Sequence, residues 1–150
     1  MTFQSRINAA IAAPMNIFSR IPHAFVQLAM RGGLAGIFWS SARTKVEGFL
    51  SVSENTFYLF EEDYHLPLLD PEIAAYLATY AEHLLPILLI LGLGTRLAAL
   101  GLFVMTLTIQ IFVYPDAFLS THFGWFALAL GVMAYGPGKL SIDHLFAGKA

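Results

Sequence analysis

Cysteine is absent from the 150 residues of this chain. Its absence excludes disulfides, thiolate catalysis, and zinc or iron–sulfur centres held by sulfur. Charge is scarce as well. Only 12% of the residues are charged, against about a quarter in ordinary soluble domains. The formal net charge of -2, with no basic stripe along the chain, excludes a nucleic-acid footprint. The stretch before Pro22 does not read as a secretory signal, because Asn8, Pro14 and Asn16 interrupt the apolar run that would have to follow Arg6. What remains is apolar: 57% of the chain is hydrophobic.

The apolar residues fall into four segments. The first runs from about Pro22 to Ala42 and is closed by Arg43 and Lys45. The second covers about 72–93, follows Asp70-Pro71 and stops at Gly92 and Gly94. The third, 97–114, ends at the Tyr114-Pro115-Asp116 turn. The fourth, 118–135, ends at Gly136-Pro137-Gly138. Each approaches the length needed to cross a hydrocarbon core of roughly 30 Å. A soluble helical bundle would need charged outer faces, and the last two segments are apolar all round. The expected fold is therefore all-α: a polytopic membrane four-helix bundle over residues 22–146, with a tail at 147–150.

Residues 1–21 precede this domain. Ile7, Ile11, Met15 and Phe18 recur at helical spacing, which suggests a segment lying in the membrane interface. The link between Thr44 and Pro71 is long for so small a protein. Ser53 and Asn55 can cap a short amphipathic helix through Phe57, Leu59, Phe60 and Tyr64, with Glu61, Glu62 and Asp63 on its wet side. The same acidic run with His65 could hold a cation, but acidic runs are usually solvated faces, and no metal is expected.

Basic residues give the orientation. Arg6, Arg20, Arg96, Lys139 and Lys149 share one side, while the opposite side carries Arg43 and Lys45 amid eight acids. The positive-inside rule puts both termini in the cytoplasm. On the first span Gly32, Gly36 and Ser40 form a ridge of small residues at fourfold spacing. Such ridges let helices approach closely. Packing inside the bundle is the favoured use and a homo-oligomer face the alternative.

Several motifs coincide along the chain: Leu59-Phe60-Glu61-Glu62, Gly92-Leu93-Gly94-Thr95-Arg96-Leu97-Ala98-Ala99-Leu100, Gln110-Ile111-Phe112-Val113-Tyr114-Pro115-Asp116-Ala117 and Tyr135-Gly136-Pro137-Gly138. From about Arg31 to Phe146 the chain resembles the DoxX family of small four-helix bacterial membrane proteins. The resemblance implies a multi-pass protein of the bacterial inner membrane. It also implies a membrane-bound oxidoreductase component, since related subunits belong to an archaeal thiosulfate:quinone oxidoreductase. Other relatives resemble partners of sulfurtransferases or superoxide dismutase, so the family fixes a reaction less firmly than a location.

Ionisable residues at membrane depth are costly and mark function by default. Arg31 lies nine residues into the first span, and Glu82 eleven residues before the end of the second. At 1.5 Å per residue they stand at roughly 14 and 16 Å, level enough to pair. Two uses of such a pair stand side by side: a lock between helices, or a proton-handling site with His83. Two histidines level with each other would be needed for haem, and His23 and His122 sit at opposite boundaries from each other and away from His83. A quinone in an apolar cleft fits better, with Arg31, Glu82, His83 and Gln110 as its polar contacts. No electron carrier is encoded, so a quinone-handling subunit would take its electrons from a membrane or peripheral redox partner. The alternatives are a non-catalytic anchor or assembly factor for a larger complex, and a small transporter or proton path.

Overall fold

The computed structural model describes residues 18–64 and 66–147. The interfacial segment expected before Pro22 therefore lies almost wholly outside the described residues, as does His65 of the acidic run. The described chain is mostly helical. Helix α1 spans His23–Thr44. A small hairpin follows, pairing strand β1 (Val46–Glu47) with β2 (Ser51–Val52) antiparallel in the register Val46↔Val52. Helix α2 (Glu54–Tyr58) runs on into a wider π-helical turn at Leu59–Asp63. The long helices α3 (Pro71–Leu91) and α4 (Thr95–Phe112) come next. After a 3-10 turn at Pro115–Ala117 and a π turn at Phe118–His122, α5 covers Phe123–Tyr135. The short α6 (Ile142–Ala147) ends the described chain.

Local chemistry sets these boundaries. Asp70 caps α3, its carboxylate accepting from the amides of Glu72 and Ile73, and Pro71 takes the first helical position, where an amide is not missed. Ser53 caps α2 by accepting from the Thr56 amide. Gly92 ends α3 in the left-handed region at φ 70°, and a Cβ there would collide with Ser141. Only glycine meets both demands.

Three stretches are long and apolar enough to cross a membrane: Pro71–Leu91, Thr95–Phe112 and Pro115–Tyr135. Fewer than half of their residues are buried inside the protein, so Ile73, Leu84, Leu97 and Leu130 among others point outward, as lipid-facing side chains would. Helix α1 is as long but more polar, carrying Gln27, Arg31, Ser40, Ser41, Arg43 and Thr44. It packs against α3 and α5, and α4 packs against both α3 and α5. Leu34, Phe38, Leu89, Leu102 and Val132 fill the core between them.

The glycine ridge is not where internal packing would put it. Among the described residues a Cβ at Gly32 or Gly36 would meet nothing within 4 Å, and both line an open apolar groove between α1 and α3. Gly33 is the one that faces a neighbour, Leu128 of α5. A fourfold repeat places residues on one face but does not say which face the next helix takes.

Gly94, the residue before α4, has no side chain to cap the helix, and Asp143 supplies the cap from the far end of the chain. Its two oxygens accept from the amides of Gly94 and Thr95 at 2.8 and 2.9 Å, and its own amide donates to the Gly92 carbonyl at 2.8 Å. Burial works to raise the Asp143 pKa. The hydrogen bonds from Thr95 and Gly94, with the charge of Arg31, outweigh it and hold the carboxyl below its ordinary value of 3.8. A depressed carboxylate stabilises the fold above its unfolded pKa, and the contribution fades as pH falls through the folded one. Asp143→Asn should therefore lower the melting temperature at about pH 7 and shrink that difference steadily below about pH 4. Melting curves of both proteins across this range check it, and a difference independent of pH would refute the charged cap.

Candidate functional site

The two charges expected to pair do not. Arg31 is 1% exposed, and its guanidinium is spent on backbone carbonyls. Nε donates to Leu89 O at 2.7 Å and Nη2 to Ile90 O at 2.7 Å, while Nη1 donates to Pro137 O at 2.6 Å and Leu140 O at 2.8 Å. Glu82 instead takes Lys45, whose Nζ lies 2.7 Å from Oε2. The error lay in the register of α1 and α3. Trp39 packs edge-on against His83 at 5.3 Å, and Arg31 stands beside Leu89, about seven residues and roughly 10 Å along α3 from Glu82. Counting inward from the two helix ends assumed that those ends are level. In fact α1 starts well beyond the point where α3 stops.

This shift carries the far end of α1 inward, so Lys45, one residue past the helix, can reach Glu82. The hairpin fixes Lys45 there. Its carbonyl accepts from the Ser53 amide and the Thr56 hydroxyl, and Arg43 holds the turn by donating to the carbonyls of Gly48 and Phe49. Lys45 Nζ also donates to Ser41 Oγ at 2.8 Å. Glu82 is 3% and Lys45 13% exposed at the side chain, so the pair is nearly dry.

The pair opens onto a cavity of about 390 Å³ between α3, α4 and the α1–α3 link. Its walls are apolar, with Phe60, Ala78, Met105 and Trp125 among them, and exposed Leu77 and Val104 stand at its rim on the outer faces of α3 and α4. The polar groups reaching it are few: Lys45, Glu82, Tyr64, Tyr114 and His122 among them. The Tyr64 phenol, in the link, is pushed up to about 12 by burial, by the neighbouring Tyr114 and by the Glu82 carboxylate. It stays protonated at any physiological pH and serves as a hydrogen-bond donor.

Of the four residues expected at the site from sequence, only Glu82 lines this cavity. Arg31 belongs to the opposite end of the fold. His83 turns to the α1 side, where Nδ1 lies 2.7 Å from the Thr79 carbonyl and Nε2 is buried without a partner among the described residues. Gln110 sits behind the wall, donating to Pro115 O at 2.6 Å and accepting from His122 Nδ1 at 2.7 Å. Lys45 and His122 were missed. Lys45 looked like a flanking charge and His122 like a boundary residue, and only the tertiary register turns both inward. Among the described residues no group of three or more histidine, aspartate or glutamate side chains is placed to hold a metal ion.

The family model described as DoxX matches residues 26–115, which include most of α1, the link, α3 and α4 and thus most of the cavity wall. No curated protein and no solved structure matches the chain.

Proposed function

The chain belongs to the DoxX family, and from that premise we propose that it is a multi-pass subunit of the bacterial cytoplasmic membrane that holds a quinone headgroup for a redox partner. The observation that carries this reading is the Lys45–Glu82 pair set into a largely apolar cavity whose rim carries the exposed Leu77 and Val104. A cavity of this size, with apolar walls and a few convergent polar groups, is what an amphiphilic ring needs. The donor set fits the group: an ammonium and two phenols can donate to quinone carbonyls, while a carboxylate and an imidazole can accept from the reduced form. A bound quinone would supply two-electron, two-proton redox chemistry.

The chain's own part is to bind, orient and move protons. Glu82 lies where protons can pass between the cavity and the wetter link, because Lys45 and Ser41 join it to the end of α1. The walls keep water from the ring. With no thiol in the sequence, the electrons pass to or from a protein partner.

In this reading α1 is a fourth span. The charge inside its span, Arg31, is solvated by backbone carbonyls rather than exposed to lipid. The basic residues Arg20, Arg96 and Lys139 then face the cytoplasm with both termini, and the acidic link faces outward. Single cysteines at Asn55 and Lys139, both exposed positions, report on this directly. An impermeant maleimide added to intact cells should label position 55 and spare 139, and equal labelling of both would refute the arrangement.

The quinone reading is tested on protein purified in lipid nanodiscs by calorimetric titration with a short-tailed benzoquinone in both redox forms. One form or both should bind, and Glu82→Gln, which removes the carboxylate yet keeps the shape, should weaken binding about tenfold or more. Absence of binding in both forms, with a protein partner co-purifying, would overturn it in favour of a non-catalytic anchor.

A further inference from the structure

His122 is held in one tautomer by a chain of hydrogen bonds. Gln110 Nε2 donates to the Pro115 carbonyl at 2.6 Å, which fixes the direction of the amide. Its Oε1 then faces His122 Nδ1 at 2.7 Å, so Nδ1 must carry the proton. In a neutral imidazole this leaves Nε2 as a bare acceptor. The ring is 2% exposed, packs at 5.0 Å from the Trp125 ring, and forms part of the cavity wall. Gln110 lies outside that wall, so the ring edge away from Nδ1 is the one left for the cavity.

We infer that His122 is a specificity-determining residue that selects ligands presenting an O–H to it, the hydroquinone over the quinone form, with Gln110 as its positioning residue. The inference rests on the quinone reading of the cavity. A hydroquinone hydroxyl can donate to Nε2. A quinone carbonyl cannot, and set against Nε2 it would leave two acceptors face to face, each without a partner in a dry site. Glu82 adds a second acceptor on the same cavity, so the reduced ring, with two hydroxyls, suits it better than the oxidised one. The Pro115 turn thereby acquires a role beyond stopping α4: its carbonyl is the fixed end of the chain of bonds.

The test compares the anaerobic affinity of a short-tailed benzoquinol with that of its quinone, on the full chain in nanodiscs, beside nitrogen-15 chemical shifts of the His122 ring. Wild type should bind the quinol about ten- to a hundredfold more tightly and show an Nδ1–H imidazole with unprotonated Nε2. Gln110→Leu frees the ring to take either tautomer, and the preference should collapse towards unity while quinone affinity holds. His122→Phe keeps a ring in place and should bring quinol affinity down most of the way to that of quinone, Glu82 keeping the remainder of the preference. If wild type binds both forms equally, or carries its proton on Nε2, the inference is wrong while the cavity reading stands. If neither form binds, both are wrong. The wild-type affinities and ring shifts decide the matter even where a variant fails to fold.

Discussion

One buried guanidinium determines how the helices of this protein stand relative to one another. Arg31 carries a full charge into the interior, where a guanidinium keeps its proton and an unpaired charge would destabilise the fold. Among the described residues it meets no carboxylate at hydrogen-bonding distance. Its donors instead reach two carbonyls in the last turn of α3 and two in the segment after α5. The carbonyls ending a helix lack the amide of a following turn and form the negative end of its dipole, so they suit a cation; the Leu89 carbonyl shares its second lone pair with the Gly92 amide at 3.2 Å. Asp143 adds its charge from the adjoining turn. Three parts of the chain are thereby fastened at one level, and the register of α1 against α3 follows.

That register separates two polar centres that the sequence appeared to merge. At one end lies the clasp of Arg31, Gly92, Asp143 and the Pro137 carbonyl. At the other, α1 delivers Lys45 to Glu82 at the floor of the cavity. The motifs around Gly92–Leu100 and Tyr135–Gly138 thus have a structural reason. They supply the left-handed glycines and the carbonyls that the clasp requires. The cavity draws on residues scattered from Ser41 to Trp125 and has no contiguous motif.

The helical class and the apolar stretches from Pro71 onward were legible because period and composition are local properties. So were the helix ends at Asp70, Gly92 and Pro115, where single residues carry the boundary. The hairpin at Val46–Val52 was not, since two-residue strands offer no alternation to detect. Nor was the partner of Glu82. A pairing between helices depends on their relative height, and nothing local in the sequence records how far α1 extends past the end of α3. Gln110 was found for its polarity and assigned a direct contact, whereas its two bonds to Pro115 and His122 put it one layer behind the cavity.

The separation of the two centres is the central claim, and a double-mutant cycle measures it most directly. Glu82→Gln is combined in turn with Lys45→Met and with Arg31→Gln, and unfolding free energies are compared in one detergent. The Lys45 pair should show a coupling of about 1–3 kcal/mol, and the Arg31 pair should be additive to within about 0.5 kcal/mol. Strong coupling of Glu82 to Arg31, with additivity towards Lys45, would contradict the register and the site built upon it.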